Sequence, residues 1–120
     1  MGIIAEQWTI DQRVQLTVHR AWGLSRLTGL IGRLAPPRGC ALLFTRCRAV
    51  HTYGMRYPID VVFADSQGRV RDVRELAPRR FASCRGATQT LELRRGEAAR
   101  MGIRRGAMLE RGRHGAVDGQ

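Results

Sequence analysis

Lysine is absent from the chain: all 21 basic side chains are arginine, set against 10 acidic ones, for a formal charge of +11 with histidine neutral. A GC-rich codon composition accounts for that replacement as simply as a partner does, so the identity of the cations selects no ligand. The arginines are spread through every segment, with pairs only at Arg79/Arg80, Arg94/Arg95 and Arg104/Arg105, a pattern that reads as solvated faces. Residues 94–113 hold seven arginines and offer the best case for a basic face that neutralises phosphates. Cysteine is scarce. Cys40, Cys47 and Cys84 cannot all pair with one another and form no CxxC, which excludes a disulfide framework. No apolar run approaches the roughly 20 residues of a spanning helix. The first residues lack the basic start and long apolar run of a secretory signal. Aromatics make up only 6% of the chain, and no aromatic-interleaved basic groove for single strands is visible. These absences point to a bacterial protein of the reducing cytoplasm, with no membrane span.

What is present fits one small core. The chain has 120 residues and 13.5 kDa, 43% of them hydrophobic, with a core expected over about 7–110 and a flexible tail over 111–120. Val14, Leu16 and Val18 alternate with Gln15, Thr17 and His19, the period of a half-wet strand over 14–20. Residues 23–34 carry apolar side chains at three- and four-residue steps, interrupted by Gly29 and Gly32, and read as a short helix or loop. A loop follows over 35–39, where Pro36 and Pro37 break regular pairing. Strands are expected over 40–45, 49–53 and 59–64. The turn 65–68 then joins the last of these to a strand over 69–76 as a hairpin. A strand over 88–93, with Leu91 and Leu93 on one face and Thr90 and Glu92 on the other, precedes one or two helical turns over 96–101 and a short strand over 107–110. The strand-borne aromatics are expected to fill the core. Short strands with turn signals and little helix predict a mainly β protein, a small antiparallel barrel or jelly-roll-like sandwich with one or two short helices.

The segment Val50-His51-Thr52-Tyr53-Gly54-Met55-Arg56-Tyr57-Pro58-Ile59-Asp60-Val61-Val62-Phe63-Ala64-Asp65 resembles the signature of the bacterial and archaeal family known as domain of unknown function 192. Arg26-Leu27-Thr28-Gly29-Leu30, the strand from Gly39 to Phe44, and Thr90-Leu91-Glu92-Leu93 followed by Gly96, Ala98, Gly102, Ile103 and Gly106 resemble its other motifs in the same order. The resemblance spans about 14–110 and implies a compact, mostly β, barrel-like or jelly-roll-like domain with no established activity. Two positions depart from the pattern: Ala107 stands where many relatives carry Asp, and His-Thr-Tyr-Gly-Met replaces the longer segment before Pro58, as in a shorter branch of the family.

Within the signature, alternation after Pro58 puts Ile59, Val61 and Phe63 on one face and Asp60 on the other with Val62 and Ala64. A carboxylate among apolar neighbours needs donors or takes up a proton. Arg56, His51 or backbone donors of the 54–57 turn are the candidates, and Asp60 either ties down that turn or bears chemistry. His51 stands nine residues before Asp60, close enough across two joined strands for a pair that could orient a general base. No serine or cysteine in a nucleophile elbow accompanies them, so a hydrolytic triad is not read here. Cys47-x3-His51, with Cys84 and Asp60 at a distance, falls short of a structural zinc set. No metal and no cofactor is expected. The leading expectation is a non-enzymatic domain that binds a peptide, a protein or a small ligand near the His51–Asp60 loop, through His51, Thr52, Tyr53, Met55, Arg56 and Asp60. The alternatives are an enzyme using Asp60 and His51 as acid and base, and an arginine-rich binder of nucleic acid or acidic partners.

Overall fold

The computed structural model describes residues 3–21 and 36–112. Among the described residues nine strands and one helix follow one another: β1 (Ile3–Ile10), β2 (Val14–Ala21), β3 (Cys40–Thr45), β4 (Ala49–His51), β5 (Ile59–Ala64), β6 (Val70–Leu76), β7 (Phe81–Ser83), β8 (Gln89–Arg94), α1 (Glu97–Met101) and β9 (Leu109–Arg111). The mainly β expectation holds. Seven strands form one curled sheet in the order β6-β5-β8-β3-β2-β1-β9, and β4 and β7 form a separate two-stranded sheet. The two ends of the large sheet approach each other where Arg69 bridges Met108, giving a half-barrel.

The central strands explain why the domain has two cores. β5 reads IDVVFA with all six residues buried, and the four inner residues of β3 are buried as well. Near-continuous apolar runs of this kind are what a strand covered on both faces requires. On the first face Leu16, Val18, Ala41, Leu43, Val62, Ala64, Leu91 and Leu93 pack with Trp8 and Ile10 beneath α1 and the following turn, which contribute Ala98, Met101, Ile103 and Ala107. On the second face Leu42, Phe44, Ile59, Val61 and Phe63 pack beneath the β4–β7 sheet and the 52–58 loop, which contribute Ala82 and Met55. Truncating a fully buried leucine such as Leu43 or Leu91 to alanine costs about 2–5 kcal/mol in cores of this density.

The hairpin expected at 65–68 is present. Asp65 Oδ1 accepts the N–H groups of Gln67 and Arg69, each at 2.9 Å. Gly68 sits at φ +94°, where a Cβ would lie 2.1 Å from the Leu109 carbonyl oxygen, so only glycine lets the turn seat against β9.

Several expectations are corrected. β1 spans Ile3–Ile10, where no strand is expected from sequence, and β7 adds a further one at Phe81–Ser83. β4 ends at His51, so residues 52 and 53 belong to the loop. β9 begins at Leu109, and Arg111, placed with the tail, is its last residue. The strands are antiparallel except for one pair: β2 and β3 run parallel, in register from Thr17 opposite Cys40 to Arg20 opposite Leu43. A parallel pair needs a crossover connection and not a tight turn. Most of that connection, including the expected helix or loop over 23–34, lies outside the described residues, as do Trp22 and the tail from 113 onward.

Candidate functional site

Thr52 fixes the start of the signature loop. It is fully buried; its hydroxyl donates to the Ala77 carbonyl at 2.6 Å and accepts from the Arg80 N–H at 2.8 Å. Its own N–H donates to the Arg80 carbonyl, and its carbonyl accepts from Arg79 and Met55. Met55 then drops into the second core at 7% exposure, with Tyr57 partly buried beside the same cluster. This loop is anchored from inside and exposed outside. The Tyr53 N–H donates to His51 Nδ1 at 3.2 Å, and the two rings lie 5.5 Å apart at 45°. Phe81 stands directly opposite His51 in the β4–β7 pair. Tyr53 is 54% exposed and Phe81 63%, and His51 and Arg56 are exposed with them. The expectation that strand-borne aromatics fill the core holds for Trp8, Phe44 and Phe63 and fails at Tyr53 and Phe81.

Asp60 is buried as expected, but its donors are different. Oδ2 accepts the N–H of Gly96 at 3.0 Å and of Ala98 at 2.9 Å, so a carboxylate from β5 caps the start of α1 in place of Arg56, His51 or the 54–57 turn. Val62 and Ala64, on the same side of β5, belong to the first core, whereas Val50 of β4 packs on the second. Asp60 and His51 therefore belong to opposite sides of the large sheet, and no acid–base pair forms between them. Of the six residues expected at one site, the structure brings His51 and Tyr53 together at the surface, leaves Arg56 exposed in the loop that follows, buries Thr52 and Met55 beneath that loop, and turns Asp60 away.

The residue that sequence reading passes over is Glu92. It lies in β8 opposite Leu42 of β3 and Val61 of β5, on the second face, at 5% exposure, and its Oε1 has no hydrogen-bond partner among the described residues. Burial pushes its carboxyl up to about 7, because charge is costly in that apolar layer. Burial, then the charge of Glu92, raises the phenol of Tyr57. Alternation places Glu92 opposite the leucines of β8. It does not reveal that β8 is a central strand with a covered second side.

Glu97 behaves in the opposite way. Bonds of 2.7 Å from Arg100 and from the Gly39 N–H, working against burial, hold its carboxyl down at about 2. Cys47 Sγ donates to the Ala49 carbonyl at 3.2 Å, and no three potential metal-ligating side chains cluster among the described residues. Within the basic stretch 94–113, Arg95 pairs with Glu75, Arg100 with Glu97, Arg105 with Asp72 and Arg111 with Glu6. Each of these cations is committed on a different element.

A curled seven-stranded half-barrel, roofed on one face by a short helix and on the other by a two-stranded sheet that carries exposed aromatics, defines a mainly β domain of the barrel-like class. The chain belongs to the DUF192 family, described as uncharacterized ACR, whose family model matches residues 5–111. A candidate transcription regulator from Sinorhizobium meliloti shares the fold at a TM-score of 0.77 and 24% identity, over 92% of this chain and 96% of that one. A protein of unknown function from Novosphingobium aromaticivorans does so at a TM-score of 0.74 and 21% identity, over 90% of this chain and 84% of that one. Comparison with curated proteins gives no match.

Proposed function

We propose that this protein is a non-enzymatic binding domain whose contact surface is the outer side of the β4–β7 sheet and the loop that follows β4. The observation that carries this reading is the cluster of His51, Tyr53 and Phe81, three rings that stay at the surface although the second core lies directly beneath. Exposed aromatics held in place by buried neighbours supply contact area at little entropic cost, and Tyr is enriched in interface centres. Arg56, Arg79 and Arg80 border the cluster in sequence and are exposed, which suits a peptide or protein with acidic groups beside an apolar anchor. A small ligand would use the same rings. Thr52 and Met55 act by holding the loop, and Asp60 by fixing α1. The acid–base alternative has less support, because its two residues lie on opposite sides of the sheet. The three free thiols, all partly buried, agree with a reducing cytoplasmic setting; no helix among the described residues is long and apolar enough to cross a membrane.

A photoreactive side chain at position 81, compared with one at the exposed position 15 in β2, tests the reading. Partner adducts are expected from position 81 alone, and they should vanish when Tyr53→Ser is added. Equal labelling from both positions, or adducts that survive the added substitution, would overturn it.

A further inference from the structure

We propose that a cleft beside β6, with none of His51, Tyr53 and Phe81 in its lining, binds a small phosphate-bearing ligand through Arg71 and Arg85, with Arg69 and Arg105 as flanking cations. The cleft encloses about 500 Å³ and is lined by these four arginines with Asp72 and Cys84, a size within the range of small-molecule sites. In a chain this rich in arginine, exposed guanidiniums are common, and a bare count carries nothing. The construction of the cleft is what distinguishes it.

Three features contribute. First, β6 carries a bulge here: Phe63 pairs with Asp72 and Ala64 with Val70, leaving Arg71 with no residue opposite. A bulge re-aims the side chain it carries, and bulges collect beside functional sites. Second, the Arg71 guanidinium lies against Gly86, where an added Cβ would come 3.0 Å from Nη2, so the bare backbone of the β7–β8 turn makes room for it. Third, the two flanking arginines are fixed by carbonyl groups. Arg69 Nη1 donates to the Gly106 carbonyl at 2.8 Å and Arg105 Nε to the Arg71 carbonyl at 3.2 Å. The bond to a neutral carbonyl orients Arg69 without cancelling its charge, whereas Arg105 also shares Asp72 with Arg74.

Compensation within the cleft is thin. Asp72 is its one carboxylate; it takes Arg74 Nε at 2.9 Å and stands 3.7 Å from Arg105 Nη2. Arg71 and Arg85 make no ion pair or side-chain hydrogen bond among the described residues. Two uncommitted forks facing one space match the oxygens of a phosphate, which guanidinium binds in bidentate fashion. The arginines converge from three separate segments on one cleft with no aromatic in its lining. That geometry suits a compact anion, whereas a single-stranded nucleic acid calls for a long basic track with stacking platforms.

Inorganic pyrophosphate is the probe, titrated calorimetrically into the protein at low salt. Saturable binding at one site per chain is expected, weakened by about tenfold or more in Arg71→Gln/Arg85→Gln, the loss of two charge-assisted contacts. It should be unchanged in the charge-matched control Arg38→Gln/Arg94→Gln, with the melting temperatures of both variants close to that of the parent. Absence of saturable binding, or equal weakening in the two variants, would overturn the site. So would a single-stranded oligonucleotide that outcompetes pyrophosphate and keeps its affinity in Arg71→Gln/Arg85→Gln.

Discussion

On the first face of the large sheet two carboxylates are buried, and both are held: Asp60 by the Gly96 and Ala98 N–H groups, Glu97 by Arg100 and the Gly39 N–H. On the second face Glu92 is as deeply buried and its Oε1 meets no donor among the described residues. The difference follows from what covers each side. A helix start leaves several backbone N–H groups without intrahelical acceptors, so the layer over the first face arrives with donors to offer. The β4–β7 sheet and its loop spend theirs on one another, through the β4–β7 ladder and the bonds between Thr52 and residues 77–80. What the layer above offers the second core is mainly apolar, Met55 and Ala82 among it, with the Tyr57 phenol near enough to feel the charge of Glu92.

The largest effect is expected at the better-satisfied face. Asp60→Ala leaves two N–H groups of α1 without their acceptor and should lower stability by about 4 kcal/mol, read from urea unfolding, because bonds to a charged acceptor are worth more than neutral ones. An unchanged midpoint would mean that the cap does not hold the helix. The next effect has the opposite sign. The carboxyl of Glu92 stands at about 7 in the folded chain against an ordinary 4.5, so the folded state keeps a proton that the unfolded state gives up. Stability from this group is therefore full below 4.5 and falls as pH rises through about 7, by about 3 kcal/mol. Glu92→Gln should flatten that decline, and a parent whose stability is level from pH 5 to 8 would show that the group is solvated after all. Glu97, held at about 2, acts in reverse. Its contribution is present above 4.5 and lost as pH falls toward 2, and Glu97→Gln should remove about 1 kcal/mol at neutral pH, a figure kept small because Arg100 is half exposed. The smallest effect is expected at the outer surface of the second face: Tyr53→Ser with Phe81→Ser should change stability by no more than about 0.5 kcal/mol, while abolishing partner capture. A large drop in melting temperature would make those rings structural.

Much of this architecture can be read from the chain alone, for a physical reason. β2, β3, β5 and β8 carry either clean alternation or continuous apolar runs, and both patterns are imposed by the faces they cover, whereas β6 is marked by the turn over 65–68 that leads into it. β1 is not legible in this way because its identity rests on pairing: Glu6, in the middle of an otherwise strand-like run, is there to receive Trp8, Arg20 and Arg111. β7 has three residues, too few for a period. At the site, alternation shows that Asp60 must find a donor. The donors come from 36 and 38 residues further along, a distance no local pattern spans. Glu92 shows the complementary difficulty, since the same alternation describes an edge strand with one wet side and a central strand with none. The cleft beside β6 depends on a bulge, which shifts register by one residue without marking the sequence.

The pairing of β1 with β9 joins segments about a hundred residues apart, with Trp8 opposite Arg111 and the Gly112 N–H donating to Gln7. During synthesis the β1–β2 hairpin can assemble early, yet its outer margin keeps unpaired N–H and C=O groups until Leu109–Arg111 has left the ribosome. Closure so distant in sequence is slow, and an open margin invites pairing with another molecule. For this protein the hazardous interval is thus the time between the emergence of β1 and β2 and that of β9, and chaperone dependence should concentrate there.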